Sequence, residues 1–495
     1  MGAKPPPTLQ RVRSWGMVQE SCSYVVSPRT VEEIRDVFAA AREKGCAVGC
    51  RGGGNSYGDA ALVQDGFLLD FTRMNRILDW DADEGLLRVQ PGCTIREAWR
   101  HTLEDGWWLP VVPGTMEVTF GGAAAMNIHG KNNFKLGTFG ENIVEFTLLL
   151  TDGRLITCSP KENREVYLAA IGGLGMLGVF TSITCRMKRV HSGLLEVEPF
   201  AVASMAETFE LFDRLESDAD YLVGWHDGMV GGRKLGRGLV HRGRDLKDGE
   251  DPEAATTLKL TQQSLPGRFF GVIPNSWLWM GLWFFLNDPG MRLVNAMKTW
   301  SGRRHAAKGV YRQAHAAYHF LLDYVPGWKK AYLPGGLIQF QAFVPKAHAV
   351  RVFEKLIEHA HLHGHPPYLC VTKRHKPDPF LMTHAVDGYS LAMDIKVTRS
   401  GKSAVWEMAE GMEELVLDAG GRLYFAKDSV MRPSTVERAY PKENLETFLR
   451  LKRELDPDLL LETDLFRRIF RPLLDACSDA AVFRRAPSKD GAPSS

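Results

Sequence analysis

The stretch Arg51-Gly52-Gly53-Gly54-Asn55-Ser56-Tyr57-Gly58-Asp59 follows directly on the apolar run Cys46-Ala47-Val48-Gly49-Cys50. Three successive glycines leave their amide N–H groups unshielded and free to take positive φ, the backbone a loop needs to wrap around a diphosphate. The stretch reads as a dinucleotide cradle set after a strand. Tyr57 stands where a G-x-G-x-x-G fingerprint needs its last glycine, and no Gly-Lys-Ser/Thr is present, so neither the Rossmann nor the P-loop pattern applies. A second strand-like run, Gly66-Phe67-Leu68-Leu69-Asp70-Phe71, follows the loop. The element is therefore strand-loop-strand, which counts against a nicotinamide enzyme.

A second anchor comprises Pro113-Gly114-Thr115 and then Gly121-Gly122-Ala123-Ala124-Ala125-Met126-Asn127-Ile128-His129-Gly130-Lys131-Asn132-Asn133. From Gly121 to Ala125 no side chain exceeds a methyl group, so a large flat group can approach the backbone. His129 and Lys131 then supply polar donors. A third glycine cluster lies at Gly172-Gly173-Leu174-Gly175-Met176-Leu177-Gly178.

Taken in order, Gly-Gly-Gly-x-Ser after a strand, Pro-Gly-Thr, the Gly-Gly-Ala run ending in His129-Gly130, Thr151-Asp152-Gly153 and the late Gly-Gly-Leu-Gly resemble the PCMH-type FAD-binding domain of the vanillyl-alcohol oxidase superfamily. Leu337-Ile338-Gln339-Phe340-Gln341, the run Gly421 to Ser429, and Asp456-Pro457 followed by Thr463-Asp464 are similar to its decaprenylphosphoryl-ribose oxidase branch. The resemblance spans the chain from about the first helix to Arg468. It implies a two-domain α+β flavoprotein, in which an FAD-binding domain is joined to a substrate domain of antiparallel sheet flanked by helices.

Length and charge set independent bounds. At 495 residues the chain exceeds one typical core, so two domains are expected. Lys plus Arg number 61 against Asp plus Glu 59, a net charge of +2, which excludes the strongly basic balance of a nucleic-acid protein. The eight cysteines show no C-x-x-C pair or zinc-type spacing. Cys46 and Cys50, four residues apart on a strand, stand roughly 13 Å from each other, too far for a disulfide. Met1-Gly2-Ala3-Lys4-Pro5-Pro6-Pro7 has no apolar run of a secretory signal, so a cytoplasmic protein or one peripheral to the inner membrane is expected.

Thr30 with Glu33, and Thr94 with Glu97, have the spacing of capping boxes. The first predicts a helix over Val31 to Lys44, with Ile34, Val37, Phe38 and Ala41 on its inner face and Gly45 as its stop. The second predicts a helix stopped by Gly106. Ile143 to Leu150 and Leu155-Ile156 read as a hairpin around Asp152-Gly153. The glycine clusters end near Lys188. The expected division is an FAD-binding part over 1–190, a substrate domain over 191–420 with amphipathic helices at Ala347–His363 and Lys402–Leu417, a return over 421–480, and a disordered tail over 481–495.

The run Trp277-Leu278-Trp279-Met280-Gly281-Leu282-Trp283-Phe284-Phe285-Leu286 is ten apolar residues long, half of the ~20 that cross a bilayer. Followed by Arg292, Lys298, Arg303, Arg304, Lys308 and Arg312, it suits a membrane interface. A buried core helix beside an ordinary basic surface fits the same pattern.

The resemblance also carries residue roles. Lys427 matches the lysine whose ammonium faces flavin and substrate, where a fixed cation stabilises negative charge on the reduced ring and on a developing alkoxide. Tyr57 and His129 complete the catalytic set. The implied cofactor residues are Arg51, Gly52, Gly53, Gly54, Asn55, Ser56 and Tyr57 in the cradle, and Pro113, Gly114 and Thr115 in the turn. Gly121, Gly122, Ala125, Asn127, His129, Gly130 and Asn132 follow in the small-residue run, with Gly178, Tyr424 and Lys427 later. Asn55 stands where many relatives carry the histidine that bonds to the flavin, so FAD is expected to be non-covalent. His129 and Lys131 are expected to flank a sugar-phosphate pocket, with Tyr318 at its mouth, Gln339 and Gln341 lining it and Lys373 offering charge to a phosphate. Ala392 falls where the oxidase branch has a cysteine beside the flavin.

The activity so implied is FAD-dependent oxidation of the 2'-hydroxyl of a polyprenyl-phosphoryl pentofuranose to a 2'-keto compound. A short-chain NAD(P)H-dependent reductase would complete the epimerisation as partner. A soluble sugar-lactone or alditol oxidase using oxygen, and a non-catalytic flavin-binding assembly subunit, are the alternatives.

Overall fold

The computed structural model describes residues 8–265, 268–269 and 273–485. Residues 1–7, and the tail from 486 onward, lie outside the described residues. The last helix runs over Asp464–Arg485, so it extends five residues into the segment expected to be a tail.

The helix Val31–Lys44 forms where the cap and periodicity place it, with Ile34, Phe38 and Ala41 buried and Gly45 left-handed at φ +64. Each buried side chain of the size of Ile34 or Phe38 contributes about 1.5–3 kcal/mol. Thr30 Oγ1 accepts from the Glu33 amide at 3.3 Å, but the Glu33 carboxylate accepts from the Arg29 amide rather than from Thr30. At Thr94 the box is complete, although its helix ends at Thr102, ahead of Gly106. The hairpin pairs Ile143–Leu149 with Leu155–Cys158, matching Leu149 to Leu155, and Gly153 takes φ +89 in the turn.

The first part of the chain builds two larger sheets, beside a two-stranded pair of Trp107–Trp108 with Lys188–Arg189. In one, Leu9–Arg13, Glu20–Val26, Phe67–Asp70 and Val48–Arg51 lie side by side, with the cradle's two flanking strands parallel to each other. In the other, five antiparallel strands run in the order Ile77–Asp81, Leu86–Val89, Val179–Arg186, Ile143–Leu149 and Leu155–Cys158. The end of the chain returns to the first sheet: Val48 bridges Leu461, and the Val48 amide donates to the Leu460 carbonyl at 2.7 Å.

Between them stands an eight-stranded antiparallel sheet, ordered Tyr311–Ala314, Leu194–Val202, Gly238–Asp245, Tyr221–His226, Leu369–His375, Gly388–Val397, Gly336–Pro345 and Arg422–Leu423. Its edge strand lies past residue 421, so the return crosses after Leu423. Helices Met205–Leu215, Ala349–Leu362 and Lys402–Leu417 pack on this sheet. Tyr389 points to the first of them and stacks on Phe209 with centroids 3.9 Å apart. Because side chains alternate along a strand, Ser390, Ala392 and Asp394 point the other way, toward the glycine-rich part.

That face is partly covered by the helices Leu278–Phe285 and Asp288–Ala306. Lys298 lies over the Trp225 ring, and Trp225 shares a cross-strand row with Val371, Ala392 and Gln341. The aromatic segment is not a buried core helix: Trp277 is 62% and Phe284 70% exposed. On the longer helix the polar Asn295 and Thr299 point inward, whereas Leu293, Met297 and Trp300 form an exposed stripe ending at Arg304. No helix among the described residues is long and apolar enough to cross a membrane.

Candidate active site

The cradle begins where the strand Val48–Arg51 ends. Gly54 takes φ +65, and a Cβ on Gly53 would lie 2.3 Å from the Glu117 carbonyl oxygen, so the loop lies directly on the segment that enters the helix Phe120–Ala125. Among the described residues the amides of Gly53, Gly54, Asn55 and Ser56 donate to no protein acceptor. Four consecutive free donors are what a diphosphate requires, since unsatisfied backbone amides are costly to leave without a partner.

The three glycine clusters meet. Asn55 Nδ2 donates to the Glu117 carbonyl at 3.0 Å, tying the first to the second. The amides of Gly172 and Leu174 donate to the carbonyls of Ala124 and Ala125, each at 2.9 Å, tying the third to the second. Gly121, Gly122 and Ala125 stay partly exposed on the short helix. Asn127 and Asn132 are spent within the protein instead: Asn127 holds Asp378 and the Gly140 amide, and Asn132 donates to the Pro110 carbonyl. The Pro113-Gly114-Thr115 turn is held from the substrate side, where the Leu322 amide donates to the Gly114 carbonyl and Thr115 donates to Asp323. Gly178, at φ +156, leads into the strand Val179–Arg186, and Gly130 sits where a Cβ would lie 2.5 Å from Asn132 Oδ1.

Lys427, 370 positions from Tyr57 in sequence, is brought onto it. The Tyr57 amide donates to the Ala426 carbonyl at 2.9 Å, and Lys427 Nζ stands 3.8 Å from the centre of the Tyr57 ring. Trp15 covers the same ring at 4.4 Å. One guanidinium fixes this junction, because Arg468 donates both to Asp59, two residues after Tyr57, and to Asp428, next to Lys427. Gly58 is obligatory there, for a Cβ would lie 1.8 Å from the Asp428 carbonyl oxygen.

Opposite stands the sheet face that carries Gln339, Gln341, Lys373 and Asp394. Gln341 Nε2 is 2.9 Å from His129 Nε2, and Lys373 Nζ is 3.5 Å from His129 Nδ1. Burial, aided by the Lys373 charge, holds the His129 imidazole neutral, well below the usual histidine range. Burial lowers the ammonium groups too, Lys131 to about 7 and Lys373 to about 8, and Lys427 is lowered for the same reason. Among the described residues none of these three lysines forms an ion pair within 4 Å.

Tyr318, expected at the pocket mouth, is buried against Tyr221, Leu195 and Val197. Its carbonyl accepts from Lys131 Nζ and its ring carries that ammonium at 4.1 Å, so it acts on Lys131 from behind. Tyr424 packs on His384 and His129 at 4.4 and 5.4 Å.

Besides Trp15 and Arg468, sequence reasoning missed His375, His384 and Asp394. His375 and His384 lie 5.0 and 5.3 Å from His129, ring to ring. Asp394 is 1% exposed and takes Gln339 Nε2 at 2.5 Å. An acidic residue in phase with Ser390, Ala392 and Lys396, alternating with Tyr389, Leu391, Met393 and Ile395, was its signal.

The α+β fold, with its several sheets and helices, is consistent with a two-domain flavoprotein of the vanillyl-alcohol-oxidase type, and the chain is an FAD-dependent oxidoreductase. Residues 22–159 match the family described as FAD binding domain. Over 94% of its length, and 98% of the relative's, the chain is 29% identical to decaprenylphosphoryl-beta-D-ribose oxidase of Mycolicibacterium smegmatis. It is 31% identical to L-gulonolactone oxidase of Bos taurus over 35% of this chain and 39% of that one. With D-arabinono-1,4-lactone oxidase of Debaryomyces hansenii the identity is 28%, over 37% and 36% of the two chains. The free amides at 53–56 and the small-residue run fit FAD, and the free amides would hold its diphosphate.

Proposed function

We propose that the protein oxidises the 2'-hydroxyl of a polyprenyl-phosphoryl pentofuranose, ribose foremost, to a 2'-ketone that a separate short-chain NAD(P)H-dependent reductase then reduces from the other face. The observation that carries this reading is the pair of buried ammonium groups without a counter-ion, Lys131 and Lys373, beside the cradle. Buried cations without counter-ions call for an anionic ligand, and a sugar phosphodiester supplies one. A free lactone or alditol would leave Lys131 and Lys373 uncompensated. The similarity to the ribose oxidase along nearly the whole of both chains favours the same substrate class.

FAD, when bound, supplies the hydride acceptor. The chain's own part is to hold the sugar under Gln339, Gln341 and His129, to keep water out with Tyr57 and Trp15, and to keep a positive charge at Lys427 where negative charge develops. Mixing the yellow protein anaerobically with polyprenyl-phosphoryl ribose is expected to bleach it. Bleaching by a free polyol or sugar lactone but not by the phosphoryl sugar would overturn the reading in favour of a lactone or alditol oxidase. FAD is held without a covalent bond, since the Asn55 amide offers no nucleophilic nitrogen and is engaged by Glu117. Acid precipitation is expected to leave the yellow colour in the supernatant.

The exposed stripe Leu293, Met297 and Trp300, with Trp277 and Phe284, gives a lipid-linked substrate its approach. Arg304 stacks on Trp300 at 3.8 Å, and Arg292, Arg303 and Lys308 are exposed along the same helix and just after it. This apolar face with a basic margin is the composition of a segment seated in an anionic membrane interface. Introducing Phe284→Glu and Trp300→Glu together is expected to lower co-sedimentation with phosphatidylglycerol-containing vesicles by at least about tenfold. Bleaching by a short-chain soluble substrate should persist.

A further inference from the structure

We infer that Asp394, through the carboxylate oxygen left without a protein donor, accepts the proton of the substrate hydroxyl, with Gln339 as its positioning residue. This rests on the reading of the site as an alcohol oxidase, and deepens it by naming the base.

Asp394 lies on the strand Gly388–Val397, directly opposite Gln339 on one neighbouring strand and Leu369 on the other. Its Oδ1 accepts from Gln339 Nε2, and its Oδ2 has no partner although the residue is 1% exposed. A buried carboxylate oxygen with no donor is costly to keep, and such groups concentrate where chemistry uses them. Gln339 Nε2 also lies 3.4 Å from Tyr57 Oη, and Lys427 Nζ sits over that same Tyr57 ring. Carboxylate, phenol and ammonium therefore converge beside the cradle.

The other candidates are less free. Both nitrogens of His129 are engaged, one by Gln341 and one by Lys373. Lys427 would have to give up the charge that stabilises the developing oxyanion before it could act as a base. Asp394 instead begins charged and ends neutral. As the carbinol C–H bond gives its electron pair as hydride to the flavin, the O–H bond breaks. Its proton passes to Asp394 Oδ2 and its electron pair closes the C=O bond. The alcohol is oxidised to a ketone, the flavin is reduced, and Asp394 leaves the step as a carboxylic acid.

The groups that face Asp394 set its titration. Burial raises it to about 6, the Gln339 hydrogen bond and the Lys427 charge lower it, and Tyr57, Tyr332 and Cys370 complete its surroundings. A base must be deprotonated, so the rate of flavin reduction is expected to fall as pH drops through about 6.

The test is stopped-flow flavin reduction across pH with wild type, Asp394→Asn and Gln339→Met, paired with infrared titration of the substrate-free holoprotein. Asp394→Asn should slow reduction by about 10²–10⁴-fold at unchanged FAD content, and abolish the acid limb. Gln339→Met should move that limb to higher pH, because a hydrogen bond favouring the charged form is lost. On acidification the wild-type minus Asp394→Asn difference spectrum should show the carbonyl stretch of a protonated carboxylic acid, since Asp378 and Glu413, which burial raises to about 6 and about 7, contribute to both proteins alike. Reduction by Asp394→Asn within about threefold of wild type, or retention of the acid limb, would overturn the assignment. The infrared signature does not depend on which sugar bleaches the protein, so failure of the substrate reading remains distinguishable from failure of Asp394.

Discussion

Lys427→Ala is expected to slow flavin reduction by about 10²–10³-fold while leaving FAD bound, the loss typical of removing one preorganised stabiliser of transition-state charge. The ammonium is held over Tyr57 by a backbone bond at Ala426 and by the clamp of Arg468 on Asp428, so little of its positioning has to be arranged during reaction. Burial is the largest influence on Lys427, and it lowers the ammonium. The sign follows: activity that depends on this charge is present below the lowered value and declines as pH rises through it. Lys427→Arg restores the charge but not its shape beside the ring, so it should recover activity only in part. Stopped-flow absorbance, with FAD content read from the same sample, checks the prediction. An alanine variant as fast as wild type would remove Lys427 from catalysis.

The second large effect is on stability. Lys452 and Asp456 form a fully buried ion pair at 2.6 Å, and Lys452 Nζ also donates to the carbonyls of Met176 and Leu461. Asp456 in turn accepts from the amides of Leu460 and Leu461 at 2.9 and 2.8 Å. Lys452→Ala leaves a buried carboxylate without its cation and two carbonyls without a donor, so it should destabilise the protein by about 3–5 kcal/mol. Combining Lys452→Met with Asp456→Asn removes both charges and should recover much of the loss. Urea unfolding followed by flavin fluorescence measures both variants. Equal stability of Lys452→Ala and wild type would refute the central place given to this pair.

Local signals were legible in the sequence and long-range ones were not. The helix Val31–Lys44 is written three times over, in the Thr30 cap, in the spacing of Ile34, Phe38 and Ala41, and in the left-handed Gly45. The cradle was equally plain, because only backbone amides can do its work. Asp394 was legible only in part: Ser390, Ala392, Asp394 and Lys396 alternate with Tyr389, Leu391, Met393 and Ile395, which marks its side of the strand but not that this side faces the cradle rather than solvent. His375 and His384 reach His129 only through tertiary structure. Nor could the run Trp277 to Leu286 be resolved, for a segment apolar all round has the same pattern whether it is buried or set in an interface. Tyr318 was misplaced because the resemblance supplies a position in the chain but not the side on which its ring packs.

The bridge from Val48 to Leu461 and the clamp of Arg468 on Asp59, 409 residues apart, also set the order of events on the ribosome. The glycine loop emerges early, yet the segment that bridges the edge of its sheet and the guanidinium that fixes its exit are among the last parts synthesised. A nascent chain thus carries an unfinished nucleotide site through most of its elongation. Cofactor capture becomes the closing act of biogenesis, and a product truncated ahead of Asp456 leaves translation colourless.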